Sequence, residues 1–93
     1  MALCSTEVID LLARTDWTDV APRALAFTHF CMATHGHVHN PSGRDAHQYV
    51  TRAVFEIISG RHALHTASVF NAICGIVYAN VKRDAARRVA ARV

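Results

Sequence analysis

Basic side chains are concentrated at one end of this chain of 93 residues. Five of its ten Lys and Arg residues fall within residues 82–93, where Asp84 is the only acid, so this segment carries a net charge of +4. The first 81 residues hold five Arg against six Asp or Glu, a balance of −1. The cations of the terminal segment are Lys82, Arg83, Arg87, Arg88 and Arg92. Their clustering predicts an affinity for anionic groups.

A helix through residues 81–93 would give these cations a common surface. At about 100° per residue, one apolar stripe would be formed by Val81, Ala85, Val89 and Val93. The arginines spread over the remaining half, and each guanidinium can donate two parallel hydrogen bonds to phosphate oxygens. No aromatic residue interleaves with them, so we expect contact with the backbone of duplex RNA or DNA and no base stacking.

Other interpretations of the basic segment remain open. Cations at a helix C-terminus are favourable against the helix dipole without any ligand, and an acidic partner or a membrane surface would also suit them. The chain itself offers acids near its N-terminus, at Glu7, Asp10, Asp16 and Asp19. The basic segment could dock there, in the same chain or in a neighbouring copy.

Histidine is the second unusual feature, with seven in the chain. His35, His37 and His39 alternate, and in an extended segment this period of two points three imidazoles to one side. Such a set can bind Zn or another transition metal. The alternative is a group of solvated loop histidines, because no Asp, Glu or Cys accompanies the triplet in sequence. We expect no other cofactor.

The three cysteines, Cys4, Cys31 and Cys74, are widely spaced and form no CxxC pair. This pattern favours a reducing compartment such as the cytoplasm and predicts neither a disulfide framework nor a thiolate zinc site. Cys31 and His35 are four residues apart and could form a thiolate nucleophile, but no acidic residue can be proposed to orient the histidine. No phosphate-binding loop or catalytic serine motif is present either. We therefore expect no enzymatic activity.

Composition and length indicate one folded domain over residues 1–93. Hydrophobic residues make up 52% of the chain and charged residues 18%, which excludes a disordered protein and leaves apolar surface for a second copy or a partner.

The longest apolar run, residues 73–81, is much shorter than the roughly 20 residues that span a bilayer. The first residues lack a basic leader, so we expect neither a signal peptide nor a membrane span.

Helical periodicity and turn residues predict an all-α bundle of about four helices, with the longest at the C-terminus. The first helix is expected from Ser5 or Thr6 to near Arg14, and the second from Thr18 or Asp19 to Gly36. Trp17 is expected in the core, where it could anchor the turn between them or staple the second helix.

The third helix is predicted from a capping box formed by Ser42 and Asp45, and Gly60 is expected to end it. Its core face would contain Ala46, Val50, Ala53, Val54, Ile57 and Ile58. Its solvent face would contain Gln48, Arg52 and Glu56. The last helix is expected to run from His62 to Val93, with a bend near Gly75 or Asn80.

Small residues repeat along one side of this last helix, at Ser68, Ala72, Gly75 and Ala79. Such a stripe lets another helix approach closely, either within the monomer or across a homodimer interface.

Three functional hypotheses follow. The first is a self-associating, non-enzymatic protein that binds duplex nucleic acid through its terminal cations. The second is a protein-interaction module, such as an adaptor, inhibitor or assembly subunit, that uses surplus apolar helix surface. The third is a metal-binding protein that uses the histidine triplet.

Overall fold

The computed structural model describes residues 5–35, 45–61 and 68–92, with side chains up to residue 87. These residues form four α-helices and no strand. The helices are α1 (Ser5–Arg14), α2 (Trp17–Thr34), α3 (Ala46–Ile58) and α4 (Val69–Arg92). The prediction of a small all-α bundle with its longest helix last is confirmed. Residues 62–67, expected to begin the last helix, lie outside the described residues.

Aspartate residues are the N-caps of two helices, α2 and α3. The Asp16 carboxylate accepts a 3.2 Å hydrogen bond from the Thr18 backbone N–H, so α2 starts at Trp17, slightly earlier than expected. Asp45 is the N-cap of α3 and forms a capping box with Gln48. The prediction that paired Ser42 with Asp45 was therefore wrong in register, because the Asp45 carboxylate binds the N–H three residues later.

Gly60 ends α3, as expected. Its φ of 79° lies in the left-handed region that suits glycine. The next backbone N–H, that of Arg61, donates to the Glu56 carbonyl at 3.0 Å. Helix α4 then runs without interruption through Gly75 and Asn80 for 24 residues, about 36 Å at 1.5 Å per residue.

Two ring contacts show how α2 and α4 pack together. The Arg23 guanidinium lies 4.2 Å from the Phe70 ring centroid, and the His35 ring meets the Tyr78 ring edge-on at 5.8 Å. Because residue number rises in both helices from the first contact to the second, α2 and α4 run parallel. Helix α3 packs against both of them, and α1 packs against α3.

One apolar cluster receives side chains from all four helices. Its largest fully buried members are Tyr49, Ile73, Val77 and Val81. On α3 the buried face is rotated from the predicted one, because the sides covered by α2 and α4 carry Tyr49 and Glu56. Val54 is only half-buried and Ile58 is 53% exposed, so the predicted core face was partly wrong.

Candidate functional site

The cations of α4 that the structure describes reach solvent. Lys82, Arg83 and Arg87 are exposed. The Lys82 Nζ lies 5.8 Å from the Tyr78 ring centroid, and the Arg83 Nη2 donates a 2.7 Å hydrogen bond to Asn80 Oδ1. The side chains of Arg88 and Arg92 lie outside the described part of the chain.

Asp84, the only acid of the basic segment, is buried. Its side chain is 3% exposed and its Oδ2 accepts a 2.8 Å hydrogen bond from the Tyr49 hydroxyl. The core side of α4 therefore continues from Val81 to Asp84. Of the predicted apolar stripe, Val81 is buried and Ala85 is half-buried, and the carboxylate that would oppose the cations is turned towards α3.

Three of the four acids in the first twenty residues have local partners. Asp10 pairs with Arg14 at 2.9 Å, and Asp19 pairs with Arg23 at 3.1 Å. Asp16 caps α2. Docking of the basic segment on these acids stays a prediction, because the side chains of Arg88 and Arg92 lie outside the described residues.

A buried polar network joins α3 to α4. Glu56 and Asn80 are 5% and 4% exposed, and the Asn80 Nδ2 donates to Glu56 Oε2 at 3.3 Å. The Arg52 Nε lies 3.6 Å from Glu56 Oε1, an ion pair too long for a hydrogen bond. Glu56 was expected on the solvent face, so that prediction was wrong. Two features of the sequence could have indicated its burial. Glu56 stands between the apolar residues Phe55 and Ile57, and its partner Asn80 stands within the longest apolar run of the chain.

An open apolar groove of about 400 Å³ lies on another side of α3. We call it the α3 groove, and it is lined by Trp17, Val50, Thr51, Val54, Phe55 and Ile58. The Trp17 indole is held there because its Nε1 donates a 3.0 Å hydrogen bond to the Leu12 carbonyl. Phe55 is 63% exposed, so a large aromatic ring projects beside the groove. Four of these six residues, Trp17, Val50, Val54 and Ile58, were expected in the core, and the groove was not predicted from the sequence.

His35 is the only member of the histidine triplet that the structure describes, and its ring contacts Tyr78. His37 and His39 lie outside the described residues. Within residues 5–35, 45–61 and 68–92, no group of three or more His, Cys, Asp or Glu could hold a metal ion. Burial raises the pKa of the Cys31 thiol, which is the opposite of what a thiolate nucleophile needs.

The small-residue stripe, which begins at Ser68 just before α4, is partly covered at that end only. Ser68 and Ala72 are half-buried, whereas Gly75 and Ala79 are exposed. A Cβ atom placed on Gly75 would meet nothing within 4 Å. Close packing within the monomer therefore does not explain the glycine.

In the part of the chain that the structure describes, no helix combines the length and apolar character needed to cross a membrane. Comparison of the chain with models of protein families, with curated proteins and with solved structures found no match.

Proposed function

We propose that this chain is a non-enzymatic assembly module that self-associates through the α3 groove. The observation that carries the proposal is the exposure of Phe55 and Ile58, at 63% and 53%, directly beside the groove. Burying such a side chain stabilises an association by about 1.5–3 kcal/mol. Large apolar side chains grouped around a concave surface are typical of interaction sites.

The shape of this surface suits a second copy of the same chain. Val50, Val54 and Trp17 are half-buried and form the floor, while Phe55 and Ile58 project. A two-fold symmetric interface brings the same patch from both subunits together, so a projection and a cavity must occur on one surface. The α3 groove has both.

The charge of the surface also favours self-association. None of the six residues that line the groove is charged. Two identical patches facing each other would therefore bring no like charges together within the groove, whereas the cationic end of α4 would repel itself. These features support self-association through α3, and the seam predicted at Ser68, Ala72, Gly75 and Ala79 is the alternative surface.

Molar mass measured by light scattering across a range of protein concentrations tests the proposal. We expect a dimer for the wild type and a monomer for the double variant Phe55→Glu, Ile58→Glu, because two buried carboxylates would lack partners. Phe30→Glu is the matched control, since Phe30 is 69% exposed and lies outside the groove. It should remain dimeric. A wild type that stays monomeric at millimolar concentration contradicts the proposal, as does a dimeric double variant.

A second candidate function is binding to duplex RNA or DNA through Lys82, Arg83 and Arg87, with Arg88 and Arg92 on the same segment. Burial of Asp84 against Tyr49 favours it, because the anion that would oppose these cations is withdrawn from the surface. Dimerisation through α3 would double the number of cations in one particle. Contacts of this kind are dominated by phosphate and depend strongly on salt.

Fluorescence anisotropy with a short labelled duplex, at two salt concentrations, tests this candidate. We expect binding that weakens at least tenfold as salt rises from 50 to 200 mM, a conservative estimate for a few phosphate contacts. The double variant Lys82→Glu, Arg87→Glu should abolish it. The matched control is the double variant Arg14→Glu, Arg61→Glu, which makes the same change of net charge at two exposed positions outside the basic segment. It should bind the duplex much more strongly than the first variant. Equal affinity of the two variants would contradict the assignment.

A further inference from the structure

Cys31 of α2 and Cys74 of α4 lie on facing stripes of two parallel helices. On α2, Cys31 and His35 are four residues apart, and on α4, Cys74 and Tyr78 are four residues apart. Residues at this spacing share a helix face. The His35 and Tyr78 rings are in contact. Each cysteine stands one helical turn before the contacting residue of its own helix, so the two cysteines lie at the same height along the parallel helix axes.

A second inter-helix contact, between Arg23 and Phe70, lies nearer the start of both helices. Arg23 is eight residues before Cys31 and Phe70 only four before Cys74, so the long Arg23 side chain spans the extra turn to reach the ring. The two cysteines therefore lie between two inter-helix contacts, which limits any sliding or rotation of one helix against the other.

The electrostatics of the two thiols agree with close approach. Burial raises the pKa of Cys74, and the negative charge that Cys31 would carry raises it further, while Arg23 opposes the shift. Cys31 is 3% exposed and Cys74 is half-buried, so solvent reaches the pair from the Cys74 side. Both are reduced in this structure.

We propose that Cys31 and Cys74 are an oxidation site that forms an intramolecular disulfide between α2 and α4. A peroxide is the class of oxidant that balances the reaction. The Cys74 thiolate attacks one peroxide oxygen, and its sulfur becomes a sulfenic acid as the other oxygen leaves and takes up the thiol proton to form water. Because the pKa of Cys74 is raised, we expect this step to be faster in alkaline solution. The Cys31 sulfur then displaces the sulfenic hydroxyl as a second water, so two thiols and one hydrogen peroxide give one disulfide and two waters.

The disulfide would join residues that are 43 positions apart in sequence. Closing a loop of this length lowers the entropy of the unfolded chain, and the folded helices are already adjacent. The oxidised protein should therefore resist urea better than the reduced protein, with a midpoint shifted upward by on the order of 1 M. This inference does not depend on the proposed self-association.

The test uses the full chain with Cys4→Ser, so that Cys31 and Cys74 are the only thiols. Protein treated with hydrogen peroxide is denatured, alkylated with iodoacetamide and analysed by intact mass and peptide mapping. We expect a monomer that has lost two hydrogens, takes up no alkyl group and yields one linked peptide pair. Reduction should restore two alkylated cysteines and the lower urea midpoint.

Two further variants, Cys31→Ser and Cys74→Ser, each added to Cys4→Ser, are the matched controls. Neither should show the intramolecular link or the shift of the urea midpoint after peroxide. The proposal is overturned if both thiols of the parent variant remain open to alkylation after oxidation. It is also overturned if the only disulfide formed joins two chains, which a non-reducing gel would show as a covalent dimer.

Discussion

The hydroxyl of Tyr49 donates a 2.8 Å hydrogen bond to Oδ2 of Asp84, and both side chains are buried between α3 and α4. Tyr49 is fully buried and Asp84 is 3% exposed. This single contact connects residues 35 positions apart. Asp84 continues the buried side of α4 that Ile73, Val77 and Val81 begin, while Lys82, Arg83 and Arg87 lie at the surface.

Removal of this hydroxyl should destabilise the fold. Tyr49→Phe keeps the ring in place but deprives the buried carboxylate of one hydrogen bond, which costs about 1.5–3 kcal/mol. Urea unfolding followed by circular dichroism gives the free energy of unfolding. Tyr78→Phe is the matched control, because Tyr78 is 45% exposed, and it should change stability by less than about 0.5 kcal/mol. Equal losses in the two variants would contradict a special role for Tyr49.

The polar network on the same interface makes a second prediction. Asn80→Ala removes the donor to Glu56 and the acceptor of Arg83, so we expect a loss of about 1–3 kcal/mol in the free energy of unfolding. Asn71→Ala makes the same change on an exposed position of α4 and should be neutral or slightly stabilising. A double-mutant cycle of Asn80→Ala with Glu56→Ala should show coupling, and additive losses would rule the contact out.

The start of α3 depends on Asp45. Its carboxylate accepts the Gln48 N–H at 2.9 Å, and Gln48 Oε1 accepts the Asp45 N–H at 2.9 Å. Asp45→Ala should therefore lower the free energy of unfolding by about 0.5–2 kcal/mol. Asp45→Ser keeps an acceptor and should recover most of that loss in the same denaturation assay. Failure of serine to do better than alanine would argue against capping.

Two glycines should respond with opposite sign to the same substitution. Gly75→Ala adds a methyl group into open space within a helix and should stabilise the fold by about 0.5–1 kcal/mol. Gly60→Ala forces a side chain into a φ of 79° and should destabilise it by about 1 kcal/mol. Thermal unfolding of both variants measures the difference. Loss of the dimer on Gly75→Ala would instead favour the small-residue stripe as the self-association surface.

Stability should fall in the alkaline range because the pKa of the Cys31 and Cys74 thiols is raised in the folded state. The contribution of the protonated thiols to the free energy of unfolding is fully present below their pKa in the unfolded chain, about 8.5. It is lost as pH rises through their pKa in the folded protein, because the unfolded chain releases these protons at lower pH. Free energies of unfolding measured between pH 7 and 10 check this. Cys31→Ala with Cys74→Ala should have a shallower slope than the wild type, and identical slopes would exclude the thiols as the cause.

Local chemistry determined much of the backbone. The end of α1 at Arg14, the stop at Gly60 and the helical character of α4 follow from capping residues and the spacing of apolar residues, which act within a few positions of the chain. These features were predicted from the sequence because helix formation and termination depend mainly on neighbours in sequence.

The tertiary structure decided which side of each helix is covered. Glu56 and Asp84 are buried because partners such as Asn80 and Tyr49 reach them from the neighbouring helix, and no pattern within one helix encodes that partner. For the same reason Ile58, apolar and in register with the predicted core, faces the open α3 groove. Sequence therefore supplied the helices, the cations and the cysteines, whereas the packing of α2, α3 and α4 determined which of them face each other and which face solvent.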